Sequence, residues 1–300
     1  MKKQNTVPGR FTRLFVLLTG LSLLATTPAF AAELLVGVAD ETKLVLFTSD
    51  DPDDVKVVKI KGLLRHEEIL GLDVRPLTGE LYALGSSARL YTIDYHTGRA
   101  TLIAPIPFTN KLAGTKFGFD FNPTVDRIRI VSDAGLNIRV NPTNGLLAAI
   151  DGSLAYATND TNAGVSPRVV AAAYINNDTN PATGTVLYDI DSALDVLVIQ
   201  NPPNSGTLVT VGPLGYDVKR SVGFDVAGSD GTAYASLVIK KSRGHGKHDD
   251  DDDDHWKGSR GSNDRAHLFT IDLLTGAATH VGKIGGPKPL TSLTSLGALE

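Results

Sequence analysis

The chain contains no cysteine, and a single methionine and a single tryptophan among 300 residues. The missing cysteines exclude disulfide staples, thiol catalysis and a bacterial lipid anchor. Stability must therefore come from buried apolar surface, which suits a large core better than a small one. Charge of neither sign is in excess: 29 Lys and Arg face 33 Asp and Glu, a formal net charge of −4. A mildly acidic chain is not expected to coat nucleic acid or anionic lipid. Also missing are a Gly-x-Ser-x-Gly elbow, a His-Glu-x-x-His pair and a phosphate-binding glycine loop. The seven histidines are scattered, and His66, beside Glu67 and Glu68, reads as part of a surface loop.

Only one long apolar run stands out, Leu14 to Ala25. A basic stretch with Lys2, Lys3, Arg10 and Arg13 precedes it, and Ala29-Phe30-Ala31 follows with the small-x-small pattern of a cleavage site. The run is too short for a permanent membrane span. Residues 1–31 thus read as a cleaved Sec-type signal. The expectation is one mature domain, 32–300, in the periplasm or the external medium, with no membrane anchor.

What the chain does have is a recurring spacing. From Gly71-Leu72-Asp73, nine residues lead to Tyr82 and nine more to Tyr91, with Asp94 and Gly98 beyond. From Gly118-Phe119-Asp120 the same steps reach Arg129, Ile138, Asn141 and Gly145. From Gly223-Phe224-Asp225 they reach Tyr234 and, past an intervening segment, Phe269, Asp272 and Gly276. Repeats of this length mark an array of similar supersecondary units. The pieces between, such as Leu81 to Leu84 and Leu90 to Ile93, are short, rich in aromatic and β-branched residues and bounded by Gly, Ser and Asp, so they read as strands. Asp94, Asp191, Asp272 and Asn141 read as turn formers.

Each unit is therefore an opening Gly-x-Asp strand, two middle strands and an outer one. In the fourth unit Leu187 to Asp191 reads as the third strand, Ala173-Tyr174 as part of the second, and the opening strand as degenerate within 154–170. The first unit lacks an opening strand, while Ser295 to Leu299 resembles Ile69 to Leu72 and has no unit of its own. The sequence predicts an all-β, five-bladed β-propeller of four-stranded antiparallel blades at roughly 33–66, 70–107, 117–154, 160–214 and 222–286. The C-terminal strand would join the N-terminal blade and leave no open edge. Helix is limited to short turns such as Leu63 to Ile69.

Several stretches are distinctive in order: Phe117 to Asp133, Asn137 to Pro142, Asn162 to Gly164, Ala171 to Tyr174 and Gln200 to Leu208. Together they resemble a bacterial exported family known as domain of unknown function 4394, over about Glu33 to Leu299. The resemblance implies a propeller-like repeat fold and export. It implies no established reaction and so carries over no catalytic residues. The stretch 241–266 departs from the family pattern.

That stretch interrupts the last unit and contains His245, His248, the run Asp249, Asp250, Asp251, Asp252, Asp253 and Asp254, and then His255. A charged, Gly/Ser-containing run buries little apolar area and reads as a disordered insertion. Its functional reading is metal capture, the carboxylates suiting Ca²⁺ and the imidazoles Zn²⁺. A second candidate is Asp73, Asp120 and Asp225. Opening strands line a propeller channel, so these carboxylates could converge on a cation there; alternatively each bonds backbone amides in its own turn. The fourth unit offers no equivalent, and the closing strand offers Leu299. Arg127, Arg129 and Arg139 share one blade with Asp126 and Asp133, either as a functional group or as a buried Arg–Asp pair between blades. Asp160-Thr161-Asn162-Ala163-Gly164 matches a calcium loop only in part.

The leading functional expectation is a non-enzymatic, monomeric exported propeller, a binding or scaffold module for a small molecule, glycan or protein held at the channel mouth, requiring no cofactor. The alternatives are a metal-assisted hydrolase or lyase at the same mouth, and a metal-binding or surface-attachment role for 241–266.

Overall fold

The computed structural model describes residues 31–109, 111–240, 265–286 and 289–299. Among them the regular structure is β-strand, apart from one 3-10 turn at Pro203–Ser205. The first blade is built from β1 (Glu33–Ala39), β2 (Lys43–Thr48) and β3 (Lys56–Lys59). The second comprises β4 (Ile69–Val74), β5 (Leu81–Gly85), β6 (Arg89–Asp94) and β7 (Arg99–Leu102). The third comprises β8 (Phe117–Asn122), β9 (Arg127–Ser132), β10 (Asn137–Val140) and β11 (Leu147–Ile150). The fourth runs from β12 (Ala155–Tyr156) through β13 (Val169–Tyr174), β14 (Leu187–Asp191) and β15 (Val196–Gln200) to β16 (Thr207–Pro213). The fifth holds β17 (Val218–Val226), β18 (Ala233–Ile239), β19 (His267–Ile271) and β20 (Ala278–Lys283). The last strand, β21 (Leu293–Ala298), pairs antiparallel with β1, Val36 lying opposite Thr294. The first sheet is therefore ordered β21-β1-β2-β3, which supports the expected closure.

The fold is an all-β, five-bladed propeller of small antiparallel sheets, mostly four strands each. Alternation explains why its strands read as near-continuous apolar runs. In β5 Leu81, Tyr82, Ala83 and Leu84 are all buried. Successive side chains point to opposite faces of a sheet, so Leu81 and Ala83 pack toward the first blade while Tyr82 and Leu84 pack toward the third. The same division recurs around the ring, and five apolar clusters each fill one junction between neighbouring blades. Each large side chain fully buried in such a junction contributes about 1.5–3 kcal/mol. The outer strands β3 and β11, with one side toward solvent, are mostly exposed or half-buried.

The fourth blade departs from its prediction. Its innermost strand is β13, a regular run with all six residues buried, and Leu187–Asp191 is the second strand, not the third. The long loop between β13 and β14 broke the nine-residue step, and alanines stand where other blades carry Gly and Asp. A fifth strand, β12, pairs parallel with β16 through Ala155 opposite Thr207. The stretch 63–69 holds one turn at 65–66 and runs into β4 with no helix. His66 is exposed there as expected, but Glu67 is buried and accepts hydrogen bonds from Ser86, Ser87 and Tyr91. The insertion is shorter than predicted: Ala266 is core, its carbonyl accepting the Ile284 amide at 3.0 Å. Residues 1–30 of the predicted leader 1–31 and the segment 241–264, with His245, His248, Asp249 to Asp254 and His255, lie outside the described residues.

Glycine in the Gly-x-Asp strands has a steric cause. A Cβ on Gly118 would stand 2.7 Å from both the Cβ and the backbone nitrogen of Ala172 on the next blade, and one on Gly223 would stand 2.5 Å from the Leu293 nitrogen. The innermost strands approach so closely that no side chain fits between them. Gly118→Ala, at a position with ordinary φ, should therefore destabilise the fold by about 1–3 kcal/mol through overpacking. Chemical denaturation measures this directly, and an unchanged midpoint would refute the close approach.

Candidate functional site

The close approach sets the chemistry at the axis. Two residues beyond each motif glycine, an aspartate reaches the adjacent blade. Asp73 accepts the Phe121 amide at 2.7 Å, Asp120 the Tyr174 amide at 2.9 Å and Asp225 the Ser295 amide at 2.6 Å. Between β21 and β4 the Ser292 hydroxyl does this work, accepting the Leu72 amide at 2.9 Å. Between the fourth and fifth blades Asp195 accepts the Val218 amide at 3.2 Å, beside an apolar cluster. The expectation that each aspartate bonds amides of its own turn is thus only half the answer: Asp73 and Asp225 also accept the amides of Val74 and Val226.

The three aspartates, all buried, bring one carboxylate oxygen each to within 4.8 Å of one another. The inward side chain of the closing strand is Thr294 rather than Leu299. Its hydroxyl lies 2.9 Å from Asp73 Oδ1 and 2.9 Å from Asp225 Oδ2. One hydroxyl carries one proton, so it can donate to only one of these oxygens; both contacts are hydrogen bonds only when one carboxyl is protonated and donates back. Electrostatics point the same way. Burial, followed by the charge of Asp225, pushes Asp73 well above the usual carboxylate range. Burial and the charges of Asp73 and Asp225 do the same to Asp120. Burial pushes Asp225 up to about 6.

Sequence reasoning missed Asp189, on β14. It is fully buried, and neither of its carboxylate oxygens has a hydrogen-bond partner among the described residues. Burial raises its pKa well above normal against the opposing charge of Arg129. Its sequence setting, Tyr-Asp-Ile-Asp, resembles the turn-forming aspartates of other blades and hides this position.

At the end of the ring where the innermost strands finish, a pocket of about 290 Å³ is lined by Asp73, Asp225, Asn177, Ser229, Ser295 and Leu296, among others. Asn177 donates through Nδ2 to the Val226 carbonyl at 3.3 Å, while its Oδ1 is buried with no hydrogen-bond partner among the described residues. Glu33, also buried, accepts from the hydroxyls of Ser229 and Ser295.

The arginines lie elsewhere. Arg127 bonds only nearby carbonyls, those of Val125 and Asp126. Arg129 is 2% exposed and donates to Asp151 at 2.5 Å, to Asn137, and across the blade junction to Asn204 and the Tyr174 hydroxyl. Arg139 grips Asp151 with two bonds at 2.8 and 2.9 Å. The Arg–Asp pairing is buried but lies within the third blade rather than between blades, with Asp151 as the partner; Asp126 instead pairs with Arg75, and Asp133 accepts from Thr115. Asp94, Asp272 and Asn141 form the expected turns, accepting the amides of His96, Leu274 and Thr143. Asp191 accepts the Ala193 amide but follows a second strand, and also takes the Tyr156 hydroxyl at 2.6 Å. Asp160 pins its loop to β16 through the amide and hydroxyl of Thr210, so the partial calcium loop has a structural use.

The sequence profile of the family described as Domain of unknown function (DUF4394) matches residues 43–294, and the chain belongs to that family. No curated protein matches it significantly. Among solved structures it is similar to a structural genomics protein of unknown function from Bacteroides thetaiotaomicron, with 14% identity and a TM-score of 0.46, over 91% of this chain and 66% of that one. It is also similar to the WD40 domain of coronin from Toxoplasma gondii, with 13% identity and a TM-score of 0.39, over 86% of this chain and 58% of that one. The chain thus spans less than two thirds of the length of either.

Two predictions follow from the electrostatics. Carboxyls whose folded pKa is raised give stability that is complete below the unfolded value near 4 and is lost as pH rises through the folded values. Between pH 5 and 8 the axial cluster should therefore cost the fold stability as pH rises. Asp120→Asn, which keeps an oxygen for the Tyr174 amide, should unfold later than the parent at pH 8 and lose that advantage near pH 5. A parent that gains stability steadily from pH 5 to 8 would contradict the scheme. Separately, Asp151→Ala leaves Arg129 buried and unpaired and should cost about 3–5 kcal/mol, read from the urea midpoint.

Proposed function

We propose that this member of the domain-of-unknown-function family is a non-enzymatic binding propeller that captures a small, donor-rich cationic ligand, an amine or a guanidine, in the axial pocket. The observation that carries the reading is the pocket's acceptor-rich lining. Asp73 and Asp225 supply carboxyl oxygens to the lining, the proton-sharing cluster retaining negative charge through Asp225, which is pushed up only to about 6, and Asn177 contributes a buried acceptor with no partner among the described residues. A buried acceptor left without a donor costs about 1–3 kcal/mol, and a ligand N–H placed there recovers that loss. Few convergent polar groups in a preformed concavity are what small-ligand sites typically offer. A ring closed by β21 would hold those groups rigid, because β21 itself carries Ser295 and Leu296.

Export through residues 1–31 to the periplasm or the exterior belongs to the same proposal, as does a monomeric state. A second reading, a metal-assisted hydrolase or lyase, is favoured by the three carboxylate oxygens within 4.8 Å. It gains less support, since these oxygens already accept backbone amides and the pocket is lined by no histidine or lysine. Attachment or metal capture through 241–266 rests on residues 241–264, which lie outside those described.

The test is the thermal midpoint of the mature full chain with millimolar alkyl diamines and guanidines, beside neutral oligosaccharides. Binding to the folded state alone raises the midpoint, by about 2.7 kcal/mol of stability at a hundredfold excess over Kd. A rise with at least one cationic compound, abolished in Asn177→Leu, is expected. A rise only with neutral sugars, or one retained in Asn177→Leu, would overturn the reading.

A further inference from the structure

Away from the axis, on the fifth blade, two histidines 13 residues apart in sequence face each other. Nδ1 of His267 lies 2.9 Å from Nε2 of His280, the ring centroids being 5.1 Å apart. The strands impose this meeting. Phe269 stands opposite His280 in the β19–β20 ladder, and a shift in register between Leu268 and Phe269 places Lys283 opposite His267. His267 and Phe269, two residues apart on one strand, share a face, so both imidazoles stand on the side of the sheet where Phe269 lies. Phe269 is fully buried. Its ring meets His280 edge-on at 5.2 Å and Tyr216 at 4.9 Å, which holds the His280 ring in place. Both histidines remain accessible, His267 half-buried and His280 exposed.

We propose that His267 and His280 form a two-nitrogen site for a divalent cation of tetragonal preference, Cu²⁺ or Ni²⁺. The separation, that of an ordinary hydrogen bond in the metal-free pair, also fits one coordination geometry better than another. Imidazole nitrogens bind first-row metals at about 2.0–2.1 Å. Two such bonds at a right angle place the nitrogens about 2.9 Å apart, whereas a tetrahedral angle needs about 3.3–3.4 Å. The observed spacing is that of adjacent corners of a square-planar or octahedral metal, the arrangement favoured by Cu²⁺ and Ni²⁺ over tetrahedral Zn²⁺. Burial, then the neighbouring His280 and Lys283, lowers the pKa of His267. In the metal-free pair one facing nitrogen carries a proton and donates to the other. On metal entry that proton moves through solvent to the outer nitrogen of its own ring, so both facing nitrogens offer lone pairs with no net proton release. The remaining coordination positions go to water or to small solutes. The principal local opposition is the ammonium of Lys283, which lies 3.4 Å from Asp53 Oδ1.

Of the five further histidines, three stand together at 245, 248 and 255 beside the aspartate run, so the test separates the two sources. Cu²⁺ and Zn²⁺ are titrated by calorimetry into the full mature chain, into His267→Ala, into His280→Ala, and into the triple variant His245→Ala/His248→Ala/His255→Ala. At least one Cu²⁺ site should weaken tenfold or more in each single variant and persist in the triple variant, and at that site Cu²⁺ should bind at least tenfold more tightly than Zn²⁺. Electron paramagnetic resonance of the bound Cu²⁺ should show nitrogen coupling that is lost in His280→Ala. Unchanged Cu²⁺ binding in both single variants, loss of all binding in the triple variant, or tighter binding of Zn²⁺ at this site would overturn the assignment. Unchanged circular dichroism of the single variants excludes unfolding as the cause.

Discussion

The contact on which the ring depends is a hydrogen bond from a backbone amide of one innermost strand to an acceptor side chain on the preceding blade. An innermost strand pairs with its own sheet on one side only, so its other edge presents amides that must find acceptors once buried. In a propeller these edges face the axis, where they have neither a further strand nor open solvent. Asp73, Asp120, Asp225 and Ser292 supply the acceptors. The motif glycines are the geometric condition: removing Cβ at Gly118 and Gly223 brings the next strand near enough for a short side chain two residues on to reach its amide. Glycine and aspartate at that spacing are one device, approach followed by capture.

A consequence of using the device three times around a narrow axis is that three carboxyls meet. Their repulsion and desolvation are reduced by sharing protons, and Thr294, placed between two of them, fits that state. The acidic cluster is therefore first a product of blade adhesion. Its second effect is electrostatic: two of its members line the axial pocket and bias what can enter. Because the fold itself is compatible with many functions, the functional reading rests on the pocket's lining rather than on the propeller.

The fold was legible where the sequence repeats a local rule. Asp73, Asp120 and Asp225 stand out because Gly-x-Asp recurs at the head of a nine-residue step, and their convergence follows from that position on the innermost strands of three blades. Legibility ended where the rule was broken. The fourth blade carries alanines in place of the glycine and aspartate and lengthens its first hairpin, so its strands were numbered one too far along. Asp189 sits in a sequence that mimics a turn, and its burial depends on which face of β14 meets the third blade. Asp151 could not be chosen over Asp126 or Asp133 as the partner of Arg129, because the pairing is decided across strands rather than along one. The histidine pair depends on a register shift that no local pattern announces.

Two unsatisfied buried groups illustrate why position, more than chemistry, separates structure from recognition. Asp189 and Asn177 both hold oxygens with no hydrogen-bond partner among the described residues. Asp189 lies within a sheet, paired in register with Ala172 and Val198, and is absent from the lining of the axial pocket. Its burial favours the neutral form, and a proton is the cheapest partner it can take. Asn177 sits on the loop between β13 and β14 and lines the pocket; an amide oxygen has no comparable protonation to fall back on near neutral pH. No described residue donates to it, so water or a ligand is the donor that would satisfy it. The loop that lengthened the fourth blade and broke the repeat is thus the same loop that delivers an acceptor to the axis, so the irregularity in the sequence and the candidate for recognition coincide.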